Sequence, residues 1–193
     1  MTCTKPSTAR GFTLIELMVT LSILVILATL AAPSFVGFLR NSELTSFTNK
    51  LVAATNTARS EAMKTGRNAY IIPASDASWS KGWRVFVDMN SNGSFDEGTD
   101  ITVLAEPAPP SYIEIAGTNN AGADTPYVGF GNSGYARSKA GDGDANAVVT
   151  IKRNDVTSAA AAAETRRVII ALTGRVRACR PSTDQGCTAN ATD

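Results

Sequence analysis

Between Leu17 and Ala32 the chain has no charged residue, and from Phe12 to Leu39 the only ionised side chain is Glu16. An apolar run of about 20 residues is long enough to cross a bilayer as a helix, at about 1.5 Å per residue against about 30 Å of hydrocarbon. A carboxylate inside such a run costs about 2.5–3.5 kcal/mol on insertion scales, so Glu16 points to a specific role. The preceding stretch, Met1 to Gly11, carries Lys5 and Arg10 and no acid. Positive charge ahead of an apolar helix predicts the N-terminus inside and the rest of the chain outside. Two simpler readings stand beside this one. An ordinary secretory signal has its small-residue cleavage site after the apolar core, where Ala28-Thr29-Leu30-Ala31-Ala32 lies. A plain anchor has no use for Glu16.

Gly11, Phe12, Thr13-Leu14-Ile15 and Glu16, followed by the apolar tail, resemble the prepilin signal of type IV pilins and type II secretion pseudopilins. The resemblance implies cleavage by a prepilin peptidase between Gly11 and Phe12 and methylation of the new Phe12 amino group. It further implies that Glu16 serves assembly by pairing with the Phe12 terminus of a neighbouring subunit. The division it implies is a leader over 1–11, a transmembrane and assembly helix over 12–32, and a globular domain over 33–193. That domain is expected to be periplasmic, held by a single-pass inner-membrane helix, and exposed at the surface once assembled with other major and minor pilins.

About 150 residues remain beyond the anchor, enough for one domain with its own core. Loss of Lys5 and Arg10 from 18 basic residues, set against 17 acidic ones, turns a net charge of +1 into −1, so bulk charge selects no partner. Histidine is absent, which removes the commonest general base and metal ligand. No nucleophile elbow, phosphate loop or paired metal motif is present either, so the sequence gives no reason to expect an enzyme or a cofactor. Cys3 falls in the leader, whereas Cys179 and Cys187 flank a short polar loop. In an oxidising compartment a Cys179–Cys187 bridge is expected, and closing so small a loop contributes about 2.5 kcal/mol in the chain-entropy model. Two free thiols, or a metal site, are the alternatives.

Beyond Pro33, which tends to kink a helix, the pattern becomes amphipathic. Phe47, Leu51, Ala54, Ala58 and Ala62 recur at spacings of three and four and share one helical face. One long helix is expected from Thr13 to Thr65, stopped by Gly66. Strands are expected over 68–73, 82–88, 101–105, 112–116, 127–130, 148–153, 166–172 and 175–179, with Thr173-Gly174 as a two-residue turn in the last hairpin. Loops are expected over 117–126, 138–147 and 155–164, the last with a helical turn at Ala159–Ala163. A helix followed by many strands is an α+β pattern. It matches the type IV pilin-like fold, in which the second half of a long N-terminal helix packs on antiparallel β-sheet.

Two stretches invite a chemical reading. Asp88-Met89-Asn90-Ser91-Asn92-Gly93 fits the first half of a calcium loop, with Asp88, Asn90, Asn92 and Asp96 as oxygen donors. The twelfth position, where a bidentate Glu is wanted, is Thr99. That gap favours a hairpin turn built on Asn-Gly chemistry, and no metal is expected. Similar Asp-rich turns after a Gly-Trp strand occur in the FimT and GspH group of minor pseudopilins.

The second stretch is Gly174-Arg175-Val176-Arg177-Ala178-Cys179-Arg180. On a strand, Arg175 and Arg177 point to one face, with Arg180 just beyond and Arg166 and Arg167 opening the preceding strand. No acid occurs from Thr165 to Thr183. Guanidinium groups so placed suit phosphate, although an edge strand also carries charge simply to prevent aggregation. Gly174-Arg175-x-Arg177 resembles the GRxR motif of FimT-type minor pilins, which bind DNA during natural transformation. The resemblance implies contact between the DNA backbone and Arg175 and Arg177, assisted by Arg180, Arg166 and Arg167. The runner-up is a structural subunit, either a GspH-like pseudopilin of a type II secretion system or a pilus-priming minor pilin without DNA contact.

Overall fold

The computed structural model describes residues 11–139 and 145–190, without side chains at 31–34; of the leader expected over 1–11, residues 1–10 with Cys3, Lys5 and Arg10 lie outside the described residues. The chain divides into an N-terminal unit, 1–40, and a second unit, Asn41–Asp193. One helix, α1 (Leu14–Thr65), runs through both.

In the N-terminal unit the helix starts on a reciprocal cap. The Thr13 amide and hydroxyl donate to Glu16 Oε2 at 3.1 and 2.9 Å, and the Glu16 amide donates to Thr13 Oγ1 at 3.2 Å. This is the capping box, with Thr at the N-cap and Glu three residues on. Glu16 therefore has a local task that its spacing to Thr13 discloses. From Leu14 to Leu30 the apolar side chains are exposed within this unit. Among the described residues no single helical segment is long and apolar enough to cross a membrane; Leu14–Leu30 and Phe35–Thr65 meet those criteria as a pair.

In the second unit α1 continues to Thr65 and ends at Gly66, whose φ of +69° is the left-handed conformation of a helix C-cap. Eight strands follow: β1 (Ala69–Pro73), β2 (Trp83–Val87), β3 (Ile101–Glu106), β4 (Ile113–Asn119), β5 (Val128–Phe130), β6 (Ala147–Arg153), β7 (Thr165–Ile170) and β8 (Val176–Cys179). They form two four-stranded sheets, ordered β3-β2-β1-β5 and β4-β6-β7-β8, with every pairing antiparallel. Leu51, Ala54, Ala58 and Ala62 of α1 are fully buried, and they share one cluster with Ile71, Val85 and Phe130 of the first sheet and Ile115, Val149 and Val168 of the second. Alanines on that stripe let both sheets approach the helix closely, because each buried methyl needs little room. The fold is thus the expected α+β arrangement, with a long helix on antiparallel sheet.

Candidate nucleic-acid interface

The arginine-rich end of the chain is the hairpin β7–β8. Cα partners are Arg167 with Cys179, Val168 with Ala178, Ile169 with Arg177 and Ile170 with Val176. Strand alternation sorts these residues between two faces. Val168 and Ile170 join the helix-facing core, while Ile169 and Val148 form a separate cluster against Cys179. Arg167, Arg177 and Cys179 therefore lie on the face turned away from α1.

The turn differs from the expected two residues. Strand pairing stops at Ile170 and Val176; the Gly174 amide donates to the Ala171 carbonyl at 2.8 Å and the Ala171 amide to the Arg175 carbonyl at 3.0 Å. Leu172, Thr173 and Gly174 thus make a three-residue loop, with Gly174 at φ +78°. Leu172 reads as a continuation of the apolar strand, yet it is 46% exposed at the loop tip. Arg175 accordingly precedes β8 instead of opening it.

The face that carries the arginines is covered by the C-terminal tail. The Cys179–Cys187 disulfide spans a Cα–Cα distance of 5.8 Å and folds residues 180–190 back across the sheet. Arg167 donates through Nη1 to the Cys187 carbonyl, and Thr118 donates through its hydroxyl to the Ala189 carbonyl. Arg177 Nη1 meets Asp184 Oδ2 at 2.7 Å, and its Nη2 donates to the Gly186 carbonyl at 3.3 Å. The acid-free span of the sequence ends one residue short of this partner, so Arg177 is not an uncompensated cation. Its side chain is 28% exposed and that of Asp184 is 37% exposed, so the pair stays within reach of solvent.

The five arginines separate accordingly. Arg175 and Arg180 are exposed. Arg177 is partly covered and paired. Arg167 hydrogen-bonds Thr150 Oγ1 at 3.3 Å as well as the tail. Arg166 lies on the opposite face and is 5% exposed, donating to the Ala163 and Thr165 carbonyls and to Asn41 Oδ1 at 2.7, 3.0 and 2.8 Å. Burial pushes its pKa down, the like charge of Arg180 adds to that, and Glu164 opposes it. The structure thus places Arg166 and Arg167, both expected as assisting phosphate contacts, in hydrogen bonds within the fold. Adjacent residues on a strand face opposite ways, and both guanidinium groups are occupied in holding the fold.

Asp184 gives a direct expectation. If phosphate and Asp184 compete for Arg177, Asp184→Asn should tighten duplex DNA binding by up to about fivefold, the upper end for a partly exposed pair. Unchanged or weaker binding in a titration of that variant would show that no such competition exists.

The Asp-rich loop is built as a turn. Asp88 is buried and accepts the amides of Ser91, Asn92 and Gly93 at 2.7, 3.3 and 2.9 Å. Asp96 accepts the Asn90 and Asn92 side-chain amides, which lowers its pKa. Asp100 accepts the Met89 and Asp96 amides, both at 2.8 Å. The oxygens of Asp88 and Asp100 thus cap backbone N–H groups. Among the described residues no three Asp, Glu, Cys or His side chains converge in a metal-binding arrangement.

Comparison with known proteins identifies the family. The family model "Type II transport protein GspH" matches residues 48–174, and that of the prokaryotic N-terminal methylation motif matches residues 6–32. The first match ends just before Arg175. Among solved structures, the chain is similar to the type IV minor pilin FimU of Pseudomonas aeruginosa, at 18% identity and a TM-score of 0.53, covering 75% of this chain and 94% of that one. A second crystal form of FimU gives a TM-score of 0.51 at the same identity, over 72% and 94% of the two chains. The minor pseudopilin EpsH of Vibrio cholerae follows at 11% identity and a TM-score of 0.49, over 72% and 96%. No curated protein sequence matches the chain. With two thirds of its length matched, the N-terminal methylation motif in place and the α+β fold of FimU, the chain belongs to the GspH family of type IV minor pilins and type II secretion pseudopilins.

Proposed function

We propose that this chain is a minor pilin that captures extracellular DNA for natural transformation. The observation that carries the reading is the pair of exposed arginines, Arg175 and Arg180, at the two ends of a strand clamped by a disulfide. Arg177 lies between them and reaches DNA by exchanging the Asp184 carboxylate for a phosphate. Contacts of this kind go to the backbone and carry no sequence information. The test is retention of labelled duplexes by the full chain in non-ionic detergent at low salt. Two unrelated sequences of equal length should bind equally; absence of retention for both would refute the proposal.

The family match favours a second reading, a structural pseudopilin of a type II secretion system, because it stops short of Arg175, Arg177 and Arg180. Under either reading a prepilin peptidase cuts between Gly11 and Phe12. The apolar stretch then anchors the subunit in the inner membrane with the second unit in the periplasm, until assembly with other pilins draws it into the filament. Glu16 acts there through its charge. Its capping box uses Oε2, which leaves Oε1 to meet the amino group of a neighbouring Phe12. Glu16→Gln keeps an acceptor for the cap and loses the charge. It should fail to enter filaments as completely as Glu16→Ala, while both are still cleaved after Gly11. Normal incorporation of the Gln variant in a sheared-filament immunoblot would reduce Glu16 to a helix cap.

A further inference from the structure

Beside the β7–β8 turn lies a second loop, between β5 and β6. Phe130 and Ala136 pair antiparallel, and the Gly134 amide donates to the Gly131 carbonyl at 2.9 Å, so Asn132 and Ser133 form the tip of a tight turn. This loop and the arginine hairpin are in direct backbone contact. The Ala136 amide donates to the Leu172 carbonyl at 3.0 Å, and the Gly134 carbonyl oxygen lies 2.1 Å from where a Cβ on Gly174 would sit. Between them is a cavity of about 230 Å³ lined by Tyr135, Arg137, Asn132, Ser133 and Leu172 among others. Tyr135 is 55% exposed and Arg137 is exposed. From α1, Arg59 approaches the same junction, its Nε 3.2 Å from a Cβ placed on either Gly134 or Gly174.

We infer that this cavity takes one nucleotide of single-stranded DNA, with the base on the Tyr135 ring. An exposed tyrosine on a polar surface offers a flat apolar face without losing its hydroxyl's hydration. Stacking on an aromatic ring beside cations is how proteins hold single strands without choosing a sequence. The cavity is smaller than the roughly 300 Å³ at which pockets for drug-sized ligands begin, a size that suits one flat ring. Asn132 and Ser133 offer amide and hydroxyl groups to a base edge. Arg137 supplies a phosphate contact, and Arg175 continues the track along the adjacent hairpin. A duplex keeps its bases stacked internally and cannot use the ring, so the cavity sets a strand preference.

The inference rests on the DNA-binding reading above, and its test separates the two. The full chain in detergent is titrated with labelled oligo(dT) and with a duplex of the same length, as wild type, Tyr135→Ala, Tyr135→Phe and the Arg175→Gln/Arg177→Gln double variant. The expected result is a loss of about tenfold in oligo(dT) affinity for Tyr135→Ala, recovery with Phe, and unchanged duplex affinity for both. Wild-type oligo(dT) affinity in Tyr135→Ala, alongside loss of both ligands in the arginine variant, would overturn the nucleotide site and leave the arginine reading standing. Equal losses for oligo(dT) and duplex in Tyr135→Ala would also overturn it, as a displaced loop. Failure of the wild type to bind either ligand would overturn both.

Discussion

Arg175→Gln combined with Arg177→Gln is expected to remove duplex DNA binding while leaving the protein folded. Glutamine keeps part of each side-chain stem and its polar end but no permanent charge, so what is lost is attraction to phosphate. The cost in stability is small. The Arg177–Asp184 pair is about one third exposed, and such pairs contribute at most about 1 kcal/mol. The single variants should divide unequally. Arg175 is exposed ahead of β8, whereas Arg177 is half-buried under the C-terminal tail, so Arg175→Gln should weaken binding more. A double variant that binds as the parent does, with an unchanged melting temperature, would demote the arginines to a charge device on an edge strand.

Gly174→Ala should have the largest effect on stability of any single methyl addition discussed for this chain. Its φ of +78° costs an L-residue about 1–2 kcal/mol. The new Cβ would also stand 2.1 Å from the Gly134 carbonyl oxygen, a contact that forces two backbone turns apart. Together with an overpacking cost of about 1–3 kcal/mol, the expected loss is about 3 kcal/mol, or roughly 10 °C in melting temperature for a domain this size. Gly98 provides the control. Its φ is +84°, but nothing lies within 4 Å of its Cβ position, so Gly98→Ala should show the backbone cost alone. Equal shifts in Tm for the two variants would mean that the turns relax apart freely. Because the Gly134 loop carries Tyr135, Gly174→Ala should also disturb DNA binding at temperatures where the protein remains folded.

The long helix and all eight strands were legible because each depends on local pattern. Alanines at spacings of three and four marked the helix stripe, and alternating apolar residues marked the strands. Gly66 marked the helix end. The site was less legible where contacts between distant residues decide it. Leu172 extends the apolar run of β7, and only the pairing of Ile170 with Val176 shows that it belongs to the turn. Arg166 and Arg167 are neighbours in sequence, so alternation sends them to opposite faces; this was readable from parity alone. The partner of Arg177 was not. Asp184 is brought over the strand by the Cys179–Cys187 bridge, a non-local closure that no periodicity records. The contact between the Gly134 loop and the Gly174 turn is equally non-local, and no short motif announces it.

If exposed arginines at the C-terminal hairpin hold the DNA backbone, binding must weaken with salt in proportion to the phosphates they neutralise. With Arg175, Arg177 and Arg180 neutralising two or three phosphates, the logarithm of the duplex association constant should fall against the logarithm of salt concentration with a slope of about −2 to −3. The slope should shrink by about 1 for each of Arg175 and Arg180 replaced by glutamine. Binding that does not respond to salt, or a slope untouched by those substitutions, would contradict the account.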